Sequence, residues 1–334
     1  MAKTILVTGG AGYIGSHAAK ALAGAGYTPV TFDSLATGNR WAVRWGPLEV
    51  GDILDAARLH DVFKAYRPAG VMHFAALALV GESVRAPHLY YRANVAGALN
   101  LIDACRIHDV GAFVLSSTCA IYGTPAALPI AEDAPKQPIN PYGASKLMAE
   151  RILADYGAAH GLRSVALRYF NAAGADPDGE IGERRDVETH LVPLALDAIT
   201  GRRAPLQVLG TDYPTADGTA VRDYIHVVDL AAAHVRALDY LLAGGGSRAL
   251  NLGSGRGWSV NEVIATAERV TGRRVPRTVA PRRPGDPPAL VADPAAAKAL
   301  LGDDLTQRSS LESIVATAWR WQTGPAYART FAED

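Results

Sequence analysis

Short apolar runs alternate with amphipathic stretches through the first half of the chain. Segments 4–8, 30–32, 70–74, 112–116 and 164–168 are compact apolar runs of strand length. Between them, 16–25 and 91–108 carry apolar residues at helical spacing. Continuous apolar runs mark strands covered on both faces, and strands alternating with helices build a parallel sheet. The pattern predicts an α/β fold with a doubly wound parallel sheet over 1–171.

Beyond about Asn171 the rhythm breaks. Segment 174–179 is turn-rich, and 281–288 is rich in proline and arginine. This predicts a smaller, mixed second unit over 172–334. Segment 249–253 again reads as a strand, so part of the second half, about 224–254, is expected to return to the first sheet. The Gly244-Gly245-Gly246 run reads as a surface turn. A length of 334 residues suits two units at ~100–200 residues each.

Composition excludes several classes. Apolar residues at 49% and charged residues at 20% are those of a folded chain. Lys and Arg total 33, as do Asp and Glu, and no basic patch stands out, so no nucleic-acid partner is expected. No apolar run approaches the ~20 residues of a membrane span, and no leader pattern opens the chain. A cytoplasmic protein without a membrane partner is expected. Cys105 and Cys119 are too few for a disulfide scaffold and read as reduced and inert. No metal is expected.

The first strand runs directly into Gly9-Gly10-Ala11-Gly12-Tyr13-Ile14-Gly15, and a helix-like stretch follows. Gly9, Gly12 and Gly15 form a variant of the dinucleotide fingerprint. Such glycines allow a tight turn, and the helix start offers N–H groups to a pyrophosphate. Asp33 ends the second strand, 18 residues after Gly15. A carboxylate there can accept both hydroxyls of an adenosine ribose, which favours NAD over NADP. Asp52 and Ile53, ending a short strand, are placed to border the adenine. The sheet is thus of the Rossmann type.

Tyr142 and Lys146 stand four residues apart and share one face if helical. An ammonium beside a phenol stabilises the phenolate and is expected to lower its pKa toward neutrality. Such a tyrosine can take a proton from a sugar hydroxyl. Ser116-Ser117-Thr118 ends the fourth strand and offers a hydroxyl nearby.

With these motifs in order, the chain resembles the extended short-chain dehydrogenases/reductases and, among them, the UDP-glucose 4-epimerase group. The resemblance runs nearly end to end. Its first half rests on Thr8–His17, His73-Phe74-Ala75-Ala76, Val80-Gly81-Glu82-Ser83, Tyr122-Gly123, Pro141–Lys146 and Arg168–Asn171. The second half adds Gly218–His226 and Arg282-Arg283-Pro284-Gly285-Asp286, which are more specific to the epimerases.

The resemblance implies reversible C4 epimerisation of a UDP-hexose, UDP-galactose to UDP-glucose, through a 4-keto sugar on tightly bound NAD. It implies Tyr142 as base, Thr118 as hydrogen-bond partner of the 4-oxygen, and Lys146 as holder of the nicotinamide ribose. Tyr13, Ile14, Asp33, Asp52, Ile53, Phe74, Ala75, Ala76, Asn94 and Phe170 are implied as further cofactor contacts. Asn171, Leu191, Arg222, Arg283, Asp286 and Leu290 are implied contacts to the UDP-sugar. Arginine suits a diphosphate because it can hydrogen-bond two oxygens at once. The resemblance also implies a homodimer pairing 91–108 with the Tyr142 helix, through Leu99, Ile102, Leu147 and Ile152.

Four positions depart from the group's pattern. Ala78 stands where many members carry lysine near the cofactor ribose. Leu209 replaces an aromatic residue beside the uracil. His190 replaces an asparagine of some members, and Cys119 replaces an alanine after Thr118. The Thr118-Cys119-Ala120 run also lacks the carboxylate that sugar-nucleotide dehydratases place there, which disfavours dehydration and decarboxylation. Two alternatives stand beside the hexose reading: a 4-epimerase of a UDP-N-acetylhexosamine, UDP-pentose or UDP-uronate, and a non-catalytic NAD-binding sensor.

Overall fold

The computed structural model describes residues 2–283 and 286–331. Its strands in chain order are β1 (Thr4–Thr8), β2 (Thr28–Asp33), β3 (Leu48–Val50), β4 (Gly70–His73), β5 (Ala112–Thr118), β6 (Arg163–Tyr169), β7 (Asn171–Ala173), β8 (Leu206–Leu209), β9 (Val221–His226), β10 (Arg248–Leu252), β11 (Gly257–Ser259), β12 (Arg277–Ala280) and β13 (Ala289–Leu290). Seven of them form one parallel sheet in the order β10-β6-β5-β4-β1-β2-β3. The winding direction reverses between β1 and β4. Crevices that take ligands open at the carboxyl ends of strands at such a reversal.

The side-chain period of two explains the apolar runs. Ile5 and Val7 of β1 face a layer with Ala18 and Leu22 from helix Tyr13–Gly24 and Leu230 and Leu238 from helix Val227–Leu242. Leu6 faces the opposite layer, with Phe63 from helix Ala56–Tyr66, Leu101 from helix Gly97–Ile107 and Leu153 from helix Pro141–His160. Both faces are covered, so β5 is buried along its whole length.

The chain crosses into the smaller unit and back. β10 pairs with β6, residue for residue from Arg248↔Val165 to Leu252↔Tyr169. In the second unit, β9 pairs antiparallel with β11 and parallel with β7 and β13, while β8 pairs with β12. Helices Leu191–Thr200, Val260–Thr271 and Leu311–Thr323 enclose its separate core.

Two helices differ from their sequence pattern. The first begins at Tyr13, three residues before 16, because extended Gly12 stands at its N-cap. Segment 91–108 is not one regular helix: Tyr91–Ala96 is a π-helical turn that leads into Gly97–Ile107. Within that turn Asn94 is buried, and its amide bonds both the N–H and the C=O of Leu77 and the Ser145 hydroxyl, at 2.9–3.0 Å. A three-way bond of this kind leaves no trace in hydrophobic periodicity.

Burial pushes the thiols of unpaired Cys105 and Cys119 up, Cys119 to about 12, so neither is a ready nucleophile. Among the described residues, no helix is long and apolar enough to cross a membrane.

Candidate active site

A cleft of about 530 Å³ opens at the reversal point, over the carboxyl ends of β1, β2, β4 and β5. The glycine turn forms its floor. Gly9 has φ +74°, and a Cβ there would sit 2.4 Å from the Ala75 nitrogen. A Cβ on Gly15 would sit 2.2 Å from the Gly9 carbonyl oxygen. Gly12 differs: its Cβ would meet only that same oxygen, at 3.3 Å. Gly9 and Gly15 close the turn, whereas Gly12 keeps the space over the helix start clear. No side chain caps helix Tyr13–Gly24, so its first N–H groups are free for an anion. This cradle fits a dinucleotide pyrophosphate.

Asp33 lies beside it, 8% exposed. Its Oδ2 accepts the Ala11 N–H at 3.0 Å and its Oδ1 the Leu35 N–H at 2.8 Å. Each oxygen keeps a lone pair for a ribose hydroxyl, while the same carboxylate would repel a 2′-phosphate. Burial raises its pKa, and the two backbone donors oppose that rise. Asp52, Ile53, Phe74, Ala75 and Ala76 also line the cleft, as does Ala78, which adds no charge there. Asn94 and Phe170 do not line it; Asn94 braces the Leu77 wall from behind.

Tyr142 and Lys146 reach the cleft from helix Pro141–His160. Pro141 occupies the helix start, and Asn140 caps it by accepting the Gly143 N–H at 2.9 Å. Gly143 has a packing reason: a Cβ would sit 2.5 Å from the Ala120 carbonyl oxygen. The helix therefore lies directly on the turn after Thr118. Behind it, Arg168 and Glu150 form a buried ion pair at 2.6 Å, and Ser117 donates to Glu150 at 2.5 Å. These bonds tie β5, β6 and the helix together.

Lys146 donates to the Ser116 carbonyl at 2.9 Å. Burial lowers its pKa to about 8, with Glu150 pulling the other way. The expected lowering of Tyr142 by Lys146 is not found in the free protein. Burial pushes the phenol well above its usual value, Tyr169 adds to the rise, and the Thr118 hydroxyl offsets part of it. The reason is that Tyr142 stands half-buried at the cleft wall among Tyr169, Cys119 and Tyr90, an apolar setting that disfavours phenolate more than the Thr118 hydroxyl favours it. Thr118 itself is buried outside the cleft lining, its Oγ1 accepting the Ala120 N–H at 3.1 Å.

Of the implied UDP-sugar contacts, Asn171, Leu191, Arg222, Arg283, Asp286 and Leu290 lie outside this cleft lining. Arg222 donates to Asp286 in a short ion pair, so these two meet. Leu290 is in register with Arg222 across β13 and β9, and it packs with Cys119 and Phe170. Asn171 donates to the Asp223 carbonyl at 2.9 Å. Arg282 donates to Asp212 at 2.6 Å, whereas Arg283 is exposed. Pro284 and Gly285 of the same motif lie outside the described residues.

Arg184 and Arg185 line the cleft and were not singled out by sequence. They arrive on a loop of the second unit, where only a doubled arginine marks them. Arg185 donates to Glu183 at 2.9 Å, and His190 contacts Glu183 at 3.2 Å and Glu188 at 2.8 Å. Partial burial opposes charge on His190, yet Glu183 and Glu188 raise its pKa to about 10. Three ligating groups meet here, but the cations Arg185 and His190 already neutralise the two carboxylates. His190 stands directly before the helix that begins with Leu191, and its side chain makes no capping bond there.

Residues 5–253 match the model of the NAD dependent epimerase/dehydratase family. A UDP-glucose 4-epimerase of Rhizobium leguminosarum bv. trifolii is 52% identical over 319 residues, 96% of this chain and 97% of that protein. The crystal structure of UDP-glucose 4-epimerase from Brucella ovis in complex with NAD is 56% identical, with a TM-score of 0.93 over 95% of this chain and 98% of that one. That of the Bifidobacterium longum enzyme in complex with NAD+ and UDP is 38% identical, with a TM-score of 0.92 over 97% and 99%. Matches of this extent, on a chain whose glycine turn, Asp33, Tyr142 and Lys146 share one cleft, mean that it belongs to the NAD-dependent epimerase/dehydratase family, among the UDP-glucose 4-epimerases.

Proposed function

We propose that this chain interconverts UDP-galactose and UDP-glucose by epimerisation at C4 with tightly bound NAD. The observation that carries the reading is the meeting of Tyr142 and Lys146 with the glycine turn and Asp33 in one cleft. Bound NAD⁺ supplies the acceptor that takes hydride from C4 and later returns it, so the cycle has no net redox change.

The chain's own groups do the rest. Tyr142 takes the proton from the sugar 4-hydroxyl and gives it back at the end of the cycle. Thr118 hydrogen-bonds the 4-oxygen while this proton moves. Lys146, fastened to the Ser116 carbonyl, holds the nicotinamide ribose and favours the phenolate. A buried tyrosine resists ionising alone, so a nearby positive charge in the loaded site is what makes it a base. The 4-keto sugar turns about its link to the diphosphate and presents its other face. Thr118, Cys119 and Ala120 offer no carboxylic acid to expel a hydroxyl, which keeps the reaction to epimerisation.

In this reading residues 1–171 hold NAD, and 172–334 mainly hold the UDP-sugar, with about 224–254 returning to the first unit. Asn171, Leu191, Arg222, Arg283, Asp286 and Leu290 are the UDP-sugar contacts. Ala78 and Leu209 leave one fewer ribose contact and no aromatic face for the uracil. The reading includes a homodimer working in the cytoplasm. The test is to incubate purified protein with UDP-galactose and no added NAD. UDP-glucose should form. No product from NAD-loaded protein overturns the reading and leaves a sensor.

A further inference from the structure

We propose that Tyr213 is a binding residue for the UDP half of the substrate, donating its hydroxyl to the nucleotide diphosphate. The inference rests on the UDP-sugar reading above. Tyr213 is 5% exposed, yet its hydroxyl has no hydrogen-bond partner among the described residues. A buried hydroxyl without a partner is costly, and native proteins keep few of them.

The ring cannot turn away to find a partner. Gly210, at φ +89°, packs so closely that a Cβ there would sit 2.7 Å from ring atom Cε2 and 2.6 Å from Cγ of Arg282. The Arg282 guanidinium lies 4.4 Å from the ring centroid and is itself held by Asp212 at 2.6 Å. The backbone is fastened too, the Tyr213 N–H donating to the Gly218 carbonyl at 2.9 Å. A fixed ring thus aims an unused donor at one place.

The ring stands between the segments that carry the Arg222–Asp286 pair: Arg282, four residues before Asp286, lies over it, and Gly218, four residues before Arg222, holds its backbone. Asp286 and Arg222 are the charged groups that act most on the Tyr213 phenol after burial itself. In the free protein they engage each other and leave Tyr213 out. A diphosphate arriving at Arg222 brings anionic oxygens within the same small volume. Such oxygens accept strongly from a neutral hydroxyl; the hydroxyl is closed off in the free protein, so the Arg222–Asp286 pair parts to let the anion reach it, and the ring itself needs little ordering.

Tyr213→Phe keeps the ring against Arg282 and removes only the donor. Its KM for UDP-galactose should rise about tenfold, the equivalent of one good hydrogen bond, with kcat within about twofold and NAD still bound. UDP binding by calorimetry, on NAD-loaded wild type and variant, should weaken by the same factor, while UMP binding changes little. Equal UDP affinity in the two folded proteins overturns the inference. Wild type that binds UDP but does not turn over UDP-galactose would overturn the epimerase reading alone, because the affinity comparison is still readable.

Discussion

The Lys146 ammonium donates to the Ser116 carbonyl at 2.9 Å, at the carboxyl end of the strand that also carries Thr118. With the bonds of Glu150, this one fixes the proposed active-site helix on the sheet. Tyr142, one turn earlier, inherits that position. Its ring packs near Tyr90 with centroids 6.5 Å apart, so removing the hydroxyl alone leaves that packing in place.

Tyr142→Phe should therefore nearly abolish turnover while NAD stays bound. The expected loss is at least the ~10²–10⁴-fold of general-base removal. Turnover of UDP-galactose, alongside NAD released on denaturation, measures both. Near-wild-type turnover would remove Tyr142 from the mechanism.

His190 makes stability depend on pH. Its folded pKa of about 10 lies above the ordinary 6.5. The folded chain binds the extra proton between these values, so stability falls as pH rises. The contribution is complete below 6.5 and gone above about 10. The side chain is 43% exposed, so solvent screens part of the pull and the effect is modest. Urea unfolding of wild type and His190→Gln should differ most below 6.5 and converge above 10. A constant difference across that window would refute the assignment.

The proposed contact of Leu290 with the sugar makes tolerance for bulk a test. It lies between Arg222 on the neighbouring strand and the Cys119–Phe170 cluster beside Thr118. Leu290→Tyr should lower kcat/KM for UDP-N-acetylgalactosamine more than for UDP-galactose. A few added heavy atoms are worth ~1–3 kcal/mol by analogy with hydrophobic pockets. Equal losses on both substrates would place Leu290 away from C2 of the sugar.

The proposed homodimer can be weighed. Of the apolar positions expected at its interface, Ile102 is core, and Leu147 and Ile152 are partly packed inward. Leu99 at 41% and Met148 at 44% exposure are left outside, with Val84 at 62% on the helix Val80–Arg85. In the proposed dimer a second copy covers these exposed residues. Light scattering at micromolar concentration should give twice the chain's mass, and Leu99→Glu with Met148→Glu should halve it. A wild-type monomer would rule the dimer out.

Sequence alone determined what repeats locally. The apolar runs became buried strands because helices cover both sheet faces, so each run had to be apolar throughout. The glycine turn, Asp33 and the Tyr142–Lys146 spacing were readable because one turn or one helix sets their geometry. Tertiary structure decided what depends on distant partners. Asn94 works through Leu77 and Ser145, and Arg185 reaches the cleft only because a loop of the second unit folds over it. The unused hydroxyl of Tyr213 is defined by what surrounds it. The Tyr142 pKa went the other way from its local expectation for the same reason: spacing places Lys146 one helical turn away, but desolvation of the phenol and the groups that surround it in the fold, Tyr169 among them, raise the value.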